Sequence, residues 1–395
     1  MTGSEKKIVG VTTACHATAH FFEQAFPPVL KLVEADFGLG LAGAGGIGNI
    51  FPLFFGIGAL PAGMIIDRWG SRRTLLAFLL TCAAAGVAVL LVHNIWVFAF
   101  LLMVMGLAAG LYHPAGTTLI SHNVEQVGTG LGIQGMGGNL GLAVMPVIAA
   151  AVASMLGWRA AYAVLAIPAI LLAMYFIVNK NLGNNRDHEP ISNETGIASV
   201  DPVKTTRWVP LIMLFALGML NGFCYRGMLT FLPAFFSNNS AAGQGILQGG
   251  ALTTIVLVNG VVGQYIGGRL ADRLHRGILF ASCFTISAPL LATLGMWSSH
   301  YSVVAAALFA FLYFANQPVG NALVVELSSS SFRGRAYGIF FFTNFGLGSF
   351  SATVSGWVGE RYGLDAIFPF LGAVLAGTAL MGWGLVAAMS HRKTA

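Results

Sequence analysis

A chain of 395 residues with 56% hydrophobic and only 9% charged side chains cannot present the wetted surface of a soluble domain, which carries roughly 25% charged residues. It must face lipid. The net charge of +6 comes without a basic stripe, which sets aside a nucleic-acid interface, and no Gly-x4-Gly-Lys-Ser/Thr loop is present to bind the phosphates of an ATP-driven pump.

Twelve apolar stretches long enough to cross a hydrocarbon core of about 30 Å follow one another. The first, 8–30, carries His16, His20 and Glu23; spacing of i, i+4 and i+7 puts them on one helix face. No small-residue cleavage site follows it, so a retained span is expected in place of a signal peptide. The second, 42–66, runs into Gly63-Met-Ile-Ile-Asp67-Arg68-Trp69-Gly70-Ser71-Arg72-Arg73. Spans 74–92 and 95–119 come next, the latter with His113-Pro114, where proline frees a backbone carbonyl and kinks a helix. The fifth, 130–155, carries Asn139, and the sixth covers 160–178. A polar segment of balanced charge, 179–207, interrupted by Pro190 and Pro202, suits a flexible linker. Beyond it lie 209–235 with Arg226, then 246–270, which runs into Gly268-Arg-Leu-Ala-Asp272-Arg273-Leu-His-Arg276-Gly277. Spans 277–297, 302–326 with Gln317-Pro318, 335–357 with Asn344, and 366–388 complete the set.

The second half repeats the first. The two Gly-x3-Asp-Arg runs lie 205 positions apart, and His113-Pro114, Asn139 and Gly141 are matched by Gln317-Pro318, Asn344 and Gly346. One six-helix unit has been duplicated, giving an N-terminal bundle over 1–178, a cytoplasmic linker over 179–207 and a C-terminal bundle over 208–395. Two such halves meeting around a midplane site are the plan of a secondary transporter. Of the 20 Lys and Arg, 16 fall on one side of this arrangement; by the positive-inside tendency both termini are expected to be cytoplasmic, and the expected location is the cell's inner, plasma membrane. Cys15, Cys82, Cys224 and Cys283 lie within spans without Cys-x-x-Cys spacing, so neither disulfides nor structural zinc are expected. Gly106-x3-Gly110, Gly137-x3-Gly141 and Gly263-x3-Gly267 have the spacing that lets helices approach closely in lipid.

On the duplicated motif the chain resembles the major facilitator superfamily over essentially its whole length. Gly63, Asp67, Arg68, Gly70, Arg72 and Arg73 match the family's loop between helices 2 and 3, and Gly268, Asp272 and Arg273 match the weaker second copy. The resemblance implies an all-α membrane protein of twelve transmembrane helices in two pseudo-symmetric six-helix bundles. It also implies that Asp67, with Asp272 as counterpart, latches the cytoplasmic side in the outward-facing state. Gly63 is expected to permit close backbone approach. Leu111-Tyr112-His113-Pro114-Ala115-Gly116, the Gly135–Gly141 run and the histidine-bearing first helix resemble the fosmidomycin-resistance branch, which contains drug exporters. Gln24 stands where that branch has an acid, and Met145-Pro146 replaces the Gly-Pro of the antiporter motif.

Ionisable side chains at membrane depth are costly and mark function. Glu23 is the one carboxylate near the centre of a span, and beside His20 and His16 it is the expected proton-coupling group, because desolvated carboxylates and histidines change charge at accessible pH. Aligning Pro27 with Pro233 sets His20 opposite Arg226. Arg226 is always charged and needs an anion, either Glu23 or a substrate group. Asn139, Asn344, His113 and Gln317 are further candidates for substrate contact, though each also suits helix bridging. The leading function is proton-coupled export of a small organic compound, a drug or an anionic metabolite, by alternating access and without an enzymatic step or cofactor. Proton-coupled uptake of an organic anion is the alternative. Transition-metal transport through His16, His20 and Glu23 ranks third, and a dedicated metal site is not expected. The expected partners are the substrate, the proton and the bilayer, and the expected state is a monomer.

Overall fold

Proline and glycine decide where the apolar segments break. The computed structural model describes residues 1–180, 182, 205–239, 245–296, 299–329 and 332–390, which are helical with no strand among them. Most of the expected linker lies outside the described residues. Helix α1 (Gly3–Gln24) opens on a capping box in which Thr2 and Glu5 satisfy each other's backbone N–H. Glu5 also accepts from the Glu125 N–H at 2.7 Å. The backbone donors of Glu125 and then Thr2 hold its carboxyl below the usual carboxylate range, so this tie stands at neutral pH and is lost as pH falls through the lowered value.

At Ala25 the helix breaks, and α2 (Phe26–Phe37) begins. Pro27 and Pro28 have no N–H to return to the carbonyls of Glu23 and Gln24. Helix α3 (Leu41–Ala59) gives way at Pro61 to the short α4 (Ala62–Trp69), and Gly70, at φ 76°, turns the chain into α5 (Ser71–Ala88). Helices α6 (Ile95–Gly110) and α7 (Tyr112–Asn123) form one span broken at Leu111, the kink expected from Pro114, which cannot bond Gly110. Then come α8 (Val127–Leu156), α9 (Trp158–Val164) and α10 (Ala166–Val178). The second half has α11 (Trp208–Asn239), α12 (Ile246–Arg273), α13 (Arg276–Ala292), α14 (Ser299–Leu327), α15 (Arg333–Phe341), α16 (Ser351–Tyr362) and α17 (Ile367–Ser390). Between α15 and α16 run a π-helical turn, Phe342–Gly346, and a 3₁₀ turn, Leu347–Phe350. Pro318 does not interrupt α14.

Taken singly or in the pairs α1–α2, α3–α4, α6–α7, α9–α10 and α15–α16, these helices correspond to the twelve expected spans. Nine stretches among the described residues are long and apolar enough to cross a membrane unaided, and α13 is a shorter apolar helix. The remaining two pairs, α1–α2 and α15–α16, hold His20, Glu23 and Asn344, polar groups that lower hydropathy where a site is being built.

The chain divides into two units, Met1–Val29 with Ile50–Ser199 and Leu30–Asn49 with Val200–Ala395. In the first, α1 lies along α8, and Gly137 and Gly141 seat it: a Cβ on either would run into the backbone of Thr13 or Ala17. Gly106 and Gly110 likewise receive the carbonyls of Phe51 and Phe55. In the second, α12 lies along α14, with Gly263 and Gly267 against the carbonyls of Phe311 and Ala315. Residues 30–49 belong to this unit through close contacts of Gly45 with Ala352 and of Gly356 with Leu41. The Glu360 carboxylate accepts from the Ala42 N–H at 3.1 Å.

All three Gly-x3-Gly pairs therefore act where the sequence placed them, as seats for a neighbouring backbone. Gly263→Ala should destabilise the protein by about 1–3 kcal/mol, the usual cost of overpacking. Gly10→Ala, at a site with nothing within 4 Å of the added Cβ, should not. Thermal unfolding of the two variants in one detergent checks this, and equal melting temperatures would mean that the contact yields freely.

Candidate functional site

On α1 the spacing of His16, His20 and Glu23 puts them on the face that meets α7 and α8. His20 Nδ1 hydrogen-bonds the Glu23 carboxylate. Its Nε2 lies 3.1 Å from His16 Nε2, and His16 Nδ1 lies 2.8 Å from the carbonyl oxygen of Gln134 on α8. Glu23 and His20 are buried, and His16 is half-buried. The His16 ring stacks on Tyr112 at 5.0 Å and meets His113 edge-on at 4.9 Å. The Tyr112 hydroxyl donates to the Thr12 carbonyl and accepts from Gln134 Nε2, both at 2.8 Å, so α1, α7 and α8 are tied at this level. Ring nitrogens of His16, His20 and His113 lie within 4.8 Å of one another. His16 rests on Gly138, where any Cβ would overlap its ring. Asn139, half-buried, is the next residue of α8.

The structure thus joins His113 to the stripe expected from the sequence. It adds Gln134, which the sequence did not single out, and Tyr112, which the sequence offered only as part of the Leu111–Gly116 run. Tyr112 adjoins His113 in that run. Gln134 acts partly through its backbone carbonyl, which no residue pattern announces.

In the second unit Arg226 is buried near the middle of α11. Its guanidinium carbon stands 6.0 Å from the Tyr225 ring and 5.9 Å from the Phe345 ring, within the range of cation–π attraction. Tyr225 stacks on Tyr313 at 3.9 Å, and Gln317 follows Tyr313 one helical turn on in α14. Asn344, buried, sits in the π-helical turn against Gly222 of α11. A π turn adds a residue to the helical cycle and is common at functional sites. The expected residues Arg226, Gln317 and Asn344 therefore gather around an aromatic cluster, to which the structure adds Tyr225, Tyr313 and Phe345.

The duplicated motifs differ in their surroundings. Asp67 and Arg68 lie on α4, exposed, and Asp272 and Arg273 at the exposed end of the unbroken α12; the difference comes from Pro61, which has no counterpart in α12. Arg72 donates to the Phe176 carbonyl, while Arg276 pairs with Glu326 at 3.3 Å. Arg73 is exposed on α5. Gly63 does not seat a neighbour: nothing lies within 4 Å of a Cβ placed there. Gly268 likewise meets only the Pro318 Cβ at 3.9 Å. The close approach expected at Gly63 is taken instead by glycines in the middle of the helices, where two backbones run side by side. For the latch role, Asp67→Asn should slow turnover and shift the population toward cytoplasm-open states, with a smaller effect from Asp272→Asn. Distances between spin labels on the cytoplasmic helix ends check this, and an unchanged distribution would leave the aspartates without that role.

A family model described as Major Facilitator Superfamily matches residues 12–352 and 238–394. The chain is 25% identical over 401 residues to a probable sulfoacetate transporter of Cupriavidus necator, covering 94% of this chain and 92% of that one. It is 26% identical over 282 residues to a probable L-galactonate transporter of Escherichia coli, covering 66% of this chain and 60% of that relative's length. In fold it is similar to the xylose transporter of Escherichia coli, with a TM-score of 0.77 at 16% identity and coverage of 97% of this chain and 96% of that one. With its duplicated motif, paired helical units and family match, the chain belongs to the major facilitator superfamily.

Proposed function

We propose that this transporter takes up a small organic anion together with a proton, by alternating access and without chemical conversion of the substrate. The observation that carries the proposal is the presence of two buried, mid-span ionisable groups of opposite sign, Glu23 in one unit and Arg226 in the other. Charge in the hydrocarbon region is costly, so a carrier reorients readily only when its buried charges cancel. Empty, Glu23 and Arg226 sum to zero. With one anion on Arg226 and one proton on the Glu23 cluster, they again sum to zero. With either ligand alone the sum is one unit, and reorientation is disfavoured. Obligatory movement of anion and proton in the same direction follows from this count.

The chemistry of the second unit agrees. A guanidinium makes paired hydrogen bonds to carboxylate or sulfonate oxygens, and Asn344 and Gln317 are neutral polar groups of the same unit. Galactonate and sulfoacetate, named for the two relatives, both offer such an oxyanion. Export, which the sequence placed first through its resemblance to the fosmidomycin-resistance branch, needs carriers that cross with anion alone or proton alone, and the charge count disfavours both.

The test is a proteoliposome screen under an imposed pH gradient, with sugar acids, short sulfonates and unsaturated carboxylates set beside amphipathic drugs and divalent metals. Accumulation of one organic-anion class on the alkaline side, with protons moving alongside it, is the expected result. Substrate moving against the proton would establish export instead, and response to metals alone would remove the organic anion.

A further inference from the structure

We infer that the proton of this transporter is held as one charge shared along a chain of three hydrogen bonds, Glu23–His20–His16–Gln134, and that the three contacts stand together only while the proton is bound. This rests on the proton-coupled reading above and specifies the site, the number of protons and what their loss does.

The inference comes from counting hydrogens. A carbonyl oxygen only accepts, so the 2.8 Å contact between Gln134 O and His16 Nδ1 requires a hydrogen on that nitrogen. His16 Nε2 and His20 Nε2, 3.1 Å apart, need one hydrogen between them, since two lone pairs at that distance repel. The contact of His20 Nδ1 with the Glu23 carboxylate needs a third. Two neutral histidines and a carboxylate supply only two hydrogens. The observed set of contacts thus contains one proton more than that state, and its net charge is zero.

The extra proton has several equivalent positions. It can make His20 an imidazolium that donates to the Glu23 carboxylate, or it can sit on Glu23 and be donated to a neutral His20. Shifting between these moves hydrogens along existing bonds and leaves the total unchanged. Loss of the proton leaves two hydrogens for three contacts, and whichever contact is empty sets lone pair against lone pair or carboxylate. The chain must then open. His16 links α1 to α8 through the Gln134 carbonyl, so opening changes the seam where these helices pack most closely.

Around the pair, α7 supplies Tyr112 and His113, Cys15 precedes His16 on the same helix, α8 contributes the neutral Gln134, and α3 places the Phe55 ring against His113 at 5.4 Å. The Tyr112 hydroxyl already donates to the Thr12 carbonyl. Gly138 is the positioning residue, because the His16 ring occupies the space a side chain there would take.

The test uses the full-length protein in lipid nanodiscs, without substrate, with ¹⁵N-labelled histidine; His16→Gln and His20→Gln assign two of the nine histidines. Ring-nitrogen NMR should show His16 and His20 responding to pH together, with one midpoint and one proton per molecule. Glu23→Gln should weaken the hold on that proton at least tenfold, since the balancing carboxylate is gone. Gly138→Ala removes no titratable group, yet by displacing His16 it should split the response into two separate titrations. Independent titration of His16 and His20 in the unsubstituted protein, or a Gly138→Ala protein that still titrates in one step, would overturn the inference. One equivalent of copurifying transition metal lost in His16→Gln would overturn it too. Because no substrate is present, failure here leaves organic-anion transport standing, and failure to transport any anion leaves the shared titration standing.

Discussion

Glu23→Gln should abolish proton-driven accumulation, by at least a hundredfold, while exchange of substrate across the membrane continues. The carboxamide cannot change charge. The anion-loaded variant is neutral through Arg226 and still reorients, but the empty variant carries the uncompensated Arg226 charge. An unpaired buried charge costs several kcal/mol, and about 3 kcal/mol in a barrier is more than a hundredfold in rate. Counterflow of labelled substrate and gradient-driven uptake, measured on the same proteoliposomes, separate the two steps. Gradient-driven uptake near the unsubstituted level would exclude Glu23 from coupling.

Arg226→Lys should weaken substrate binding about tenfold although the charge is kept, because an ammonium cannot present the planar pair of N–H donors that an oxyanion accepts. Arg226→Ala should weaken it about a hundredfold or more. The aromatic setting sharpens the contrast: a guanidinium also stacks against rings such as Tyr225 and Phe345, which a lysine does poorly. Calorimetric titration of the purified variants with the anion found in the screen checks both values. Full affinity in Arg226→Ala would take Arg226 out of the substrate site.

The twelve-helix architecture was legible because lipid imposes it on composition: long apolar runs, basic loops on one side and a motif repeated 205 positions apart. The ionisable stripe on α1 was legible for the same reason, since His16, His20 and Glu23 stand out where charge is costly. His113 appeared in the sequence as a proline-neighbour and joined the stripe only in the structure, because the break at Leu111 redirects α7 after α6. The role of the Gln134 carbonyl could not be read from residue type, as every residue has a carbonyl. The π turn at Phe342–Gly346 was also hidden, being set by how α11 glycines such as Gly222 and the residues around Asn344 fit together. Gly63 was misread in the opposite direction, a motif glycine taken for a packing glycine although it lies at an exposed helix end.

The most direct measurement of coupled anion uptake is the ratio of proton to substrate flux in one proteoliposome preparation, with an internal pH dye and labelled monovalent anion followed together while valinomycin sets the membrane potential. One proton should enter per anion, at a rate that does not respond to the potential, because both the loaded and the empty carrier are neutral. Protons leaving as the anion enters, or anion uptake with no proton movement, would contradict it.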